Sequence, residues 1–371
     1  MLREEGITGV HTHVRQFRRY LAGNGTPATL VTPFSWGGPL TYPVFGVRRG
    51  LERCSKPAGV AWYRHWHEVF LRNALRRHLA EAGECVVYAQ GPLDARAALR
   101  ARQGPHQRVV LAAHFRISQA DEWADKKQIS HGGRTFRAIR ADEREVIPQV
   151  DGIVYVSKWG QDALLDWLPD AAAVPSTVIG NFVTPSPAGR REQLGDLVTV
   201  GNFDLVKNHR YLLRVLAEAK RAGRTLTLDI FGDGPCRKDL LHQTESLGLT
   251  DQVRFRGFRP DVRESLPGYR AYVHASYSES LPLAIIEAMA AGLPVVTADT
   301  GGIRELCDDG IEGRFWSLDD PAAAAGILIG LLDSEPVRSK MARAAYERYR
   351  RDFDADVVGP RLRSFLLGTA R

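Results

Sequence analysis

The feature that most constrains the fold is a twice-repeated alternation of short apolar runs with longer amphipathic stretches. Runs rich in Val, Ile and Phe are typical of buried parallel strands, and the stretches between them are typical of helices. The first series of predicted strands comprises residues 28–34, 85–90, 108–115, 152–157 and 176–182. The second comprises 197–203, 226–232, 253–258, 271–276 and 293–299. The pattern predicts an α/β protein with two Rossmann-like domains built on parallel sheets.

A segment that breaks regular structure separates the two series. VTPSPAGRREQLG, at 183–195, holds two prolines and two glycines and is predicted to be a linker. We therefore expect an N-terminal domain over 1–182 and a C-terminal domain over 196–345. Ligands of such sheets bind beyond the carboxyl ends of the strands, so the site is expected in a cleft between the domains.

The composition argues against several classes of protein. Cys54, Cys85, Cys236 and Cys307 lie far apart, without a CxxC pair or metal-ligand spacing, which favours reduced thiols. The longest apolar run, 322–332, is too short to cross a bilayer, and the N-terminus lacks the apolar core of a signal peptide. These features predict a cytoplasmic protein.

The net charge of +7 lies entirely in residues 1–180. A basic half favours nucleic acid, anionic lipid or a phosphorylated substrate, and equally a solvated surface. No nucleic-acid recognition motif is present, so we expect no nucleic-acid partner. Residues 61–80, AWYRHWHEVFLRNALRRHLA, combine aromatic residues with arginines. They form either a helix resting on the inner, anionic face of a membrane or a domain helix with its apolar stripe in the core.

Two glutamates stand in the otherwise small and apolar segment SYSESLPLAIIEAMAAGLP, at 276–294. The pattern predicts a buried helix over 281–291, capped by Ser278 or Ser280. Glu287 is then a buried carboxylate with no Arg or Lys at helical spacing, so a ligand diol is a sensible partner. Glu279 precedes the helix, where backbone N–H groups and the helix dipole also favour a phosphate.

ESLPLAIIEAMAAGLPVV resembles the E-x7-E signature of retaining glycosyltransferases of family 4, which have the GT-B fold. Further matching segments follow in the order of that family: 6–17, 201–213, 230–235, 254–258 and 300–306. The resemblance implies two Rossmann-like domains facing a central cleft. It also implies that a C-terminal helix over 346–371 packs back on the first domain.

The resemblance assigns the donor-binding roles to particular residues. Glu279 would contact hydroxyls of the donor sugar, and Glu287 would bind the ribose of the nucleotide. Backbone N–H groups around Ser280 and Leu283 would meet the diphosphate. Lys207 matches the lysine that neutralises the diphosphate, and a departing nucleoside diphosphate does need positive charge where the leaving oxygen develops charge.

Four further residues are assigned in the same way. His114 matches a catalytic histidine near the donor sugar, with a buried core histidine as the alternative. Gly9 matches a glycine of the first loop that lets the backbone approach the phosphates, and Phe258 would lie by the base. Asn202 stands where the family usually has an arginine that shares the diphosphate, so it adds hydrogen bonds but no charge to the donor site.

The resemblance implies transfer with retention, with a nucleotide diphosphate sugar as the substrate and with neither a cofactor nor a metal ion. The acceptor is a carbohydrate, a lipid-linked saccharide or a small molecule. The alternative is a nucleotide-sugar-binding protein that has lost catalysis, suggested by Asn202 and by a chain that begins with a helix instead of a strand. That beginning means either that the first strand is absent or that the natural start lies upstream.

Three other motifs invite a functional interpretation. The pairs His11 with His13 and His65 with His67 do not predict a metal site, because residues two apart on a helix point to different sides. DFDAD at 352–356 is predicted to be a solvated face rather than a metal motif. The arginine-rich stretch 130–144 is either an acceptor-recognition segment or plain surface.

Overall fold

The computed structural model describes residues 8–185 and 192–368, so residues 186–191 of the predicted linker lie outside the described chain. The described residues form two compact units. The N-terminal unit comprises 18–180 and 360–368, and the C-terminal unit comprises 8–17, 181–185 and 192–359. Each unit is built around its own parallel sheet, as the alternating pattern predicts.

A four-stranded parallel sheet forms the centre of the N-terminal unit, with its strands paired in chain order. The strands are β1 (Cys85–Ala89), β2 (Gln107–Ala113), β3 (Gly152–Tyr155) and β4 (Ser176–Val178). The helices are α1 (Gly9–Gly23), α2 (Thr41–Cys54), α3 (Lys56–Glu81), α4 (Pro92–Leu99), α5 (Gln119–Asp125), α6 (Arg134–Val146) and α7 (Lys158–Trp167). Of these, α1 begins in the C-terminal unit and ends in this one.

The strand predicted over 28–34 does not form. The backbone there is irregular and leads into a 3₁₀ helix, Pro33–Trp36. Thr32 caps this helix: its Oγ1 accepts the N–H of Phe34 at 3.2 Å, and its own N–H donates to Ser35 Oγ at 3.0 Å. The prediction is wrong because Pro33 and this reciprocal cap favour a turn over an extended strand.

Helix α3 contains the aromatic and basic stretch 61–80. Its apolar residues Phe70, Leu71 and Leu75 are buried, and so is Arg64. The Arg64 guanidinium donates to Gln119 Oε1 at 3.1 Å and to Asp142 Oδ2 at 3.2 Å. These contacts favour the interpretation of α3 as a domain helix with its apolar stripe in the core. Within 8–185 and 192–368, no helix has the length and apolar character needed to cross a membrane.

A six-stranded parallel sheet forms the centre of the C-terminal unit, in the order β10-β9-β8-β5-β6-β7. The strands are β5 (Leu197–Val200), β6 (Leu228–Phe231), β7 (Val253–Gly257), β8 (Ala271–His274), β9 (Val295–Ala298) and β10 (Gly313–Trp316). The helices are α8 (His209–Arg221), α9 (Arg237–Ser246), α10 (Val262–Ser265), α11 (Leu283–Ala290), α12 (Pro321–Asp333), α13 (Glu335–Asp352) and α14 (Ala355–Leu366). Strand β10 is the addition to the five predicted strands.

The order of the strands reverses between β5 and β8, which are direct neighbours. From β5 the chain builds outward to β6 and β7, then returns to the other side of β5 and builds outward again through β8, β9 and β10. In open α/β sheets, ligands bind at such a switch point, beyond the carboxyl ends of the strands. The loops after β5 and β8 are therefore where a site is expected in this unit.

The end of the chain differs from the single helix predicted over 346–371, because Phe353 and Asp354 separate α13 from α14. Asp354 is 1% exposed and pairs with Arg350 at 2.9 Å. Its Oδ1 also accepts the N–H of Asp356 at 3.1 Å, as an aspartate does at a helix start. The interpretation of DFDAD as a solvated face is therefore wrong for Asp354.

Candidate active site

Lys207 and Glu279 meet at the switch point of the C-terminal sheet. Lys207 lies on the loop after β5, Glu279 lies on the loop after β8, and Lys207 Nζ is 2.5 Å from Glu279 Oε1. The two loops are also joined through the backbone, since the N–H of Tyr277 donates to the carbonyl of Val206 at 2.9 Å. The structure thus brings together two predicted site residues that are 72 positions apart in the chain.

The same oxygen of Glu279 accepts two more hydrogen bonds. Ser276 Oγ lies 2.7 Å from Oε1 and His274 Nε2 lies 3.3 Å from it, with the ring proton placed on Nε2. Burial by itself would raise the pKa of Glu279, but the Lys207 charge and the His274 hydrogen bond together hold that pKa well below its usual range. Glu279 is therefore ionised at neutral pH and sits among fixed donors.

Helix α11 begins at Leu283, two residues later than predicted, and neither Ser278 nor Ser280 caps it. The N-cap residue is Pro282, in an extended conformation, and no side chain hydrogen-bonds to the start of the helix. Its first backbone N–H groups are thus left to another acceptor, which suits an anion at the positive end of the helix dipole. Ser280 and Leu283, the two predicted diphosphate contacts, are buried at this end.

Glu287 lies in α11 with 8% of its surface exposed. Burial raises the pKa of its carboxyl above the ordinary value, and the charges of Arg263 and Arg15 oppose that rise only in part. Arg263 Nε lies 3.8 Å from Glu287 Oε1. A carboxylate without a charged neighbour was expected from local spacing. That expectation is wrong, because both arginines come from elements distant in sequence.

The N-terminal part of α1 packs against the start of α11. Gly9 is the first residue of α1 rather than part of a loop, and a side chain at this position would contact Leu283 Cδ1 at 3.7 Å. Asn181 Nδ2 donates to the carbonyl of Leu281 at 2.7 Å, which anchors the backbone just before α11. The site therefore depends on residues from both ends of the C-terminal unit.

The other predicted residues have no direct contact with this cluster. Asn202 follows β5 and is half-buried, while Phe258 follows β7 and is 51% exposed. His114 lies in the N-terminal unit, one residue after β2, with Nε2 3.1 Å from Gln90 Oε1. The roles of these three residues stay predictions.

Five contributing residues were not predicted from the sequence: Arg15, Asn181, Arg263, His274 and Ser276. His274 and Ser276 had a usable signal, because they end a predicted strand immediately before Glu279. The other three had none, since each reaches α11 from an element remote in sequence. No group of three or more His, Cys, Asp or Glu residues among the described residues is arranged as a metal site.

Gly301, on the loop after β9, supports the backbone of Glu279. Its φ is +59°, and an added Cβ would lie 2.0 Å from the Glu279 carbonyl oxygen. We expect Gly301→Ala to destabilise the protein by about 3 kcal/mol, because strain in φ adds to this clash. Thermal unfolding measures the effect. Gly310→Ala is the matched control, with φ at +80° but open space around its Cβ. Equal losses in the two variants would contradict the clash.

Comparison with known proteins accounts for this arrangement. The model of Glycosyltransferase Family 4 matches residues 7–187, and the model of Glycosyl transferases group 1 matches residues 185–348. The chain belongs to this glycosyltransferase family. The second match contains Lys207, Glu279 and Glu287, so the carboxylate and lysine cluster lies within the region that defines the family.

Curated relatives of this glycosyltransferase carry varied names. It is 35% identical to D-inositol 3-phosphate glycosyltransferase of Frankia alni over 206 residues, half of each chain. It is 28% identical to glycogen synthase of Mycobacterium tuberculosis over 61% of this chain and 56% of that one. The chain thus spans about half the length of these two relatives. Phosphatidyl-myo-inositol mannosyltransferase of Mycobacterium leprae is 24% identical over 95% of this chain and 91% of its own.

Solved structures show the same fold. Anabaena Alr3699/HepE in complex with UDP and glucose superimposes with a TM-score of 0.66 at 17% identity, covering 99% of this chain and 98% of its own. Staphylococcus aureus TarM in complex with fondaparinux, alpha-GlcNAc-glycerol and UDP gives 0.67 at 15% identity, covering 80% and 58%. The family-4 glycosyltransferase therefore has the predicted GT-B fold, with two parallel-sheet α/β domains.

Proposed function

We propose that the protein is a retaining glycosyltransferase that moves a sugar from a nucleoside diphosphate sugar to a hydroxyl group of an acceptor. The observation that carries this proposal is the contact between Lys207 and Glu279 at the switch point, beside the start of α11, where no side chain caps the helix. Membership of the family supports it. The presence of UDP in the titles of several structures with this fold makes UDP the first nucleotide to test.

The proposal gives each group in the cluster a separate part of the donor. The first N–H groups of α11 and the Lys207 ammonium bind the diphosphate. Glu279 Oε1 is occupied by three donors, so its other oxygen is the one that accepts a hydroxyl of the sugar. Glu287, eight residues further along, accepts the ribose hydroxyls, and the raised pKa of its carboxyl is the consequence of holding it in a dry site until those hydroxyls arrive.

Retention is proposed to proceed through displacement on one face of the sugar. The bond between the anomeric carbon and the leaving phosphate oxygen breaks, and its electron pair goes to that oxygen. The acceptor oxygen bonds to the anomeric carbon from the same face, and its proton passes to the leaving phosphate. Lys207 and the N-terminus of α11 stabilise the negative charge as it develops, which is where fixed positive groups accelerate the reaction most. We propose that these groups act without a divalent metal ion.

The acceptor is proposed to be a hydroxyl of a carbohydrate, a lipid-linked saccharide or a small molecule. The relatives' names refer to inositol phosphate and phosphatidylinositol as well as glycogen, and a shared fold does not choose among such acceptors. The second candidate function is a nucleotide-sugar-binding protein without catalysis. It rests on Asn202, which supplies no charge where the family usually has an arginine.

A thermal-shift screen against UDP, GDP and ADP and their common sugar conjugates tests the proposal first. A ligand that binds only the folded protein raises its melting temperature by mass action, so we expect a shift that is selective for one nucleotide. The conjugates of that nucleotide are then assayed for release of the nucleoside diphosphate, with and without EDTA. Binding without turnover would favour the second candidate, and binding to none of the nucleotides would overturn both.

A further inference from the structure

The Glu279 carboxylate has an unequal distribution of donors. Lys207, Ser276 and His274 all address Oε1, at 2.5, 2.7 and 3.3 Å. Two of these donors are held firmly: His274 is the last residue of β8 and is 3% exposed, and Ser276 is fully buried two residues later. Lys207 is the exception, because it reaches Glu279 from a different loop and its side chain is 24% exposed.

The proposed function creates a conflict for Lys207. The same ammonium that pairs with Glu279 in the ligand-free protein is needed by the diphosphate once the donor binds. If Lys207 moves, Glu279 keeps its negative charge in a largely buried site and loses its only hydrogen-bonded cation among the described residues. Leaving a buried carboxylate without donors is costly, so other groups must hold it in that state.

We propose that His274 is a positioning residue that, with Ser276, holds the Glu279 carboxylate in place while Lys207 transfers from Glu279 to the diphosphate of the donor. This inference rests on the proposed function, and it assigns His274 a role in donor binding without any contact with the donor. The strand end fixes the imidazole, so Glu279 keeps two hydrogen bonds to Oε1 and its other oxygen stays directed at the sugar.

The chemistry of His274 in this role is that of a neutral donor. Burial lowers the pKa of the imidazole, and the neighbouring Glu279 only partly opposes this effect, so the ring is uncharged at pH 7. A neutral Nε2–H donor is a group that a glutamine side-chain amide can replace. The role therefore predicts that glutamine substitutes for His274 and that leucine does not.

Calorimetric titration with UDP and UMP tests the proposal, because UMP lacks the β-phosphate that is proposed to draw Lys207 away. If the wild type prefers GDP or ADP, that nucleotide is used with its monophosphate. We expect His274→Leu to weaken UDP binding about tenfold and to change UMP binding less than about twofold. His274→Gln should restore UDP binding to within about threefold of the wild type.

His209→Leu is the matched control. His209 is also 3% exposed and packs edge-on to Phe203, but no hydrogen bond joins its ring to Glu279. The variant should leave the ratio of UDP to UMP affinity unchanged. A double-mutant cycle gives a second readout: in the Lys207→Ala background, His274→Leu should weaken UDP binding no further, because no lysine is left to transfer.

The outcomes separate this inference from the function on which it rests. Equal weakening of UDP and UMP by His274→Leu, or additive effects in the cycle, would overturn the role of His274 and leave the proposed function standing. A wild-type protein that binds none of UDP, GDP and ADP would overturn both. If His274→Leu fails to fold, Ser276→Ala removes the other fixed donor and should show the same loss confined to UDP.

Discussion

Lys207→Ala is expected to slow sugar transfer by about 10²–10³-fold, the usual loss when one preorganised group that stabilises developing charge is removed. Lys207 Nζ is the ammonium that contacts Glu279 at the switch point, and the proposed reaction places it against the leaving diphosphate. Glu279 keeps Ser276 and His274 as donors in the variant, so the fold should survive. Release of the nucleoside diphosphate at saturating donor measures the rate, and circular dichroism checks the fold.

Lys220→Ala is the control for this experiment. Lys220 lies in the same unit and on the surface, where its Nζ donates to the carbonyl of Gly248 at 2.6 Å. Its loss should leave the rate unchanged. Lys207→Arg, which keeps the charge, should recover part of the activity, and Glu279→Gln should lose transfer as Lys207→Ala does. A rate for Lys207→Ala within about threefold of the wild type would refute the role given to Lys207.

Glu287→Gln is expected to abolish the nucleotide-induced thermal shift while making the ligand-free protein more stable. Because the folded state raises the pKa of this carboxyl, its stability contribution falls as the pH rises through the ordinary glutamate range toward the folded pKa. Above that pKa the ionised group carries the full burial penalty. Glutamine removes the charge, so we expect an increase of about 1 kcal/mol, or about 2–4 °C in Tm, at pH 8.

The pH dependence distinguishes this effect from a general change in packing. The gain in Tm should shrink as the pH falls to about 4, where the wild-type carboxyl is protonated in both states. Glu264→Gln, an exposed glutamate on α10, should change neither Tm nor the nucleotide shift. A loss of stability at pH 8 for Glu287→Gln would mean that the pairing with Arg263 outweighs burial, and an undiminished nucleotide shift would remove Glu287 from the donor site.

Local sequence patterns were sufficient for most of the strands. β1 to β4 and β5 to β9 each fall within a predicted segment, because short runs of β-branched and aromatic residues between helical stretches are specific to buried parallel strands. Residues 28–34 have a similar composition but fail as a strand, since a proline and a capping threonine decide the conformation locally. The start of α11 was misplaced for a related reason: Pro282 is extended, and the capping serines predicted from composition are not used.

By itself, the sequence determined the class of fold, the two glutamates and lysine of the site, and through its motifs the family. These features are written in contiguous residues, where spacing alone carries the information. Only the tertiary structure decided which groups share one oxygen of Glu279, and that Arg15 and Arg263 lie near Glu287. The physical reason is that a buried carboxylate takes its partners from whatever elements the packing brings within a few ångströms, and no periodicity along the chain encodes that choice.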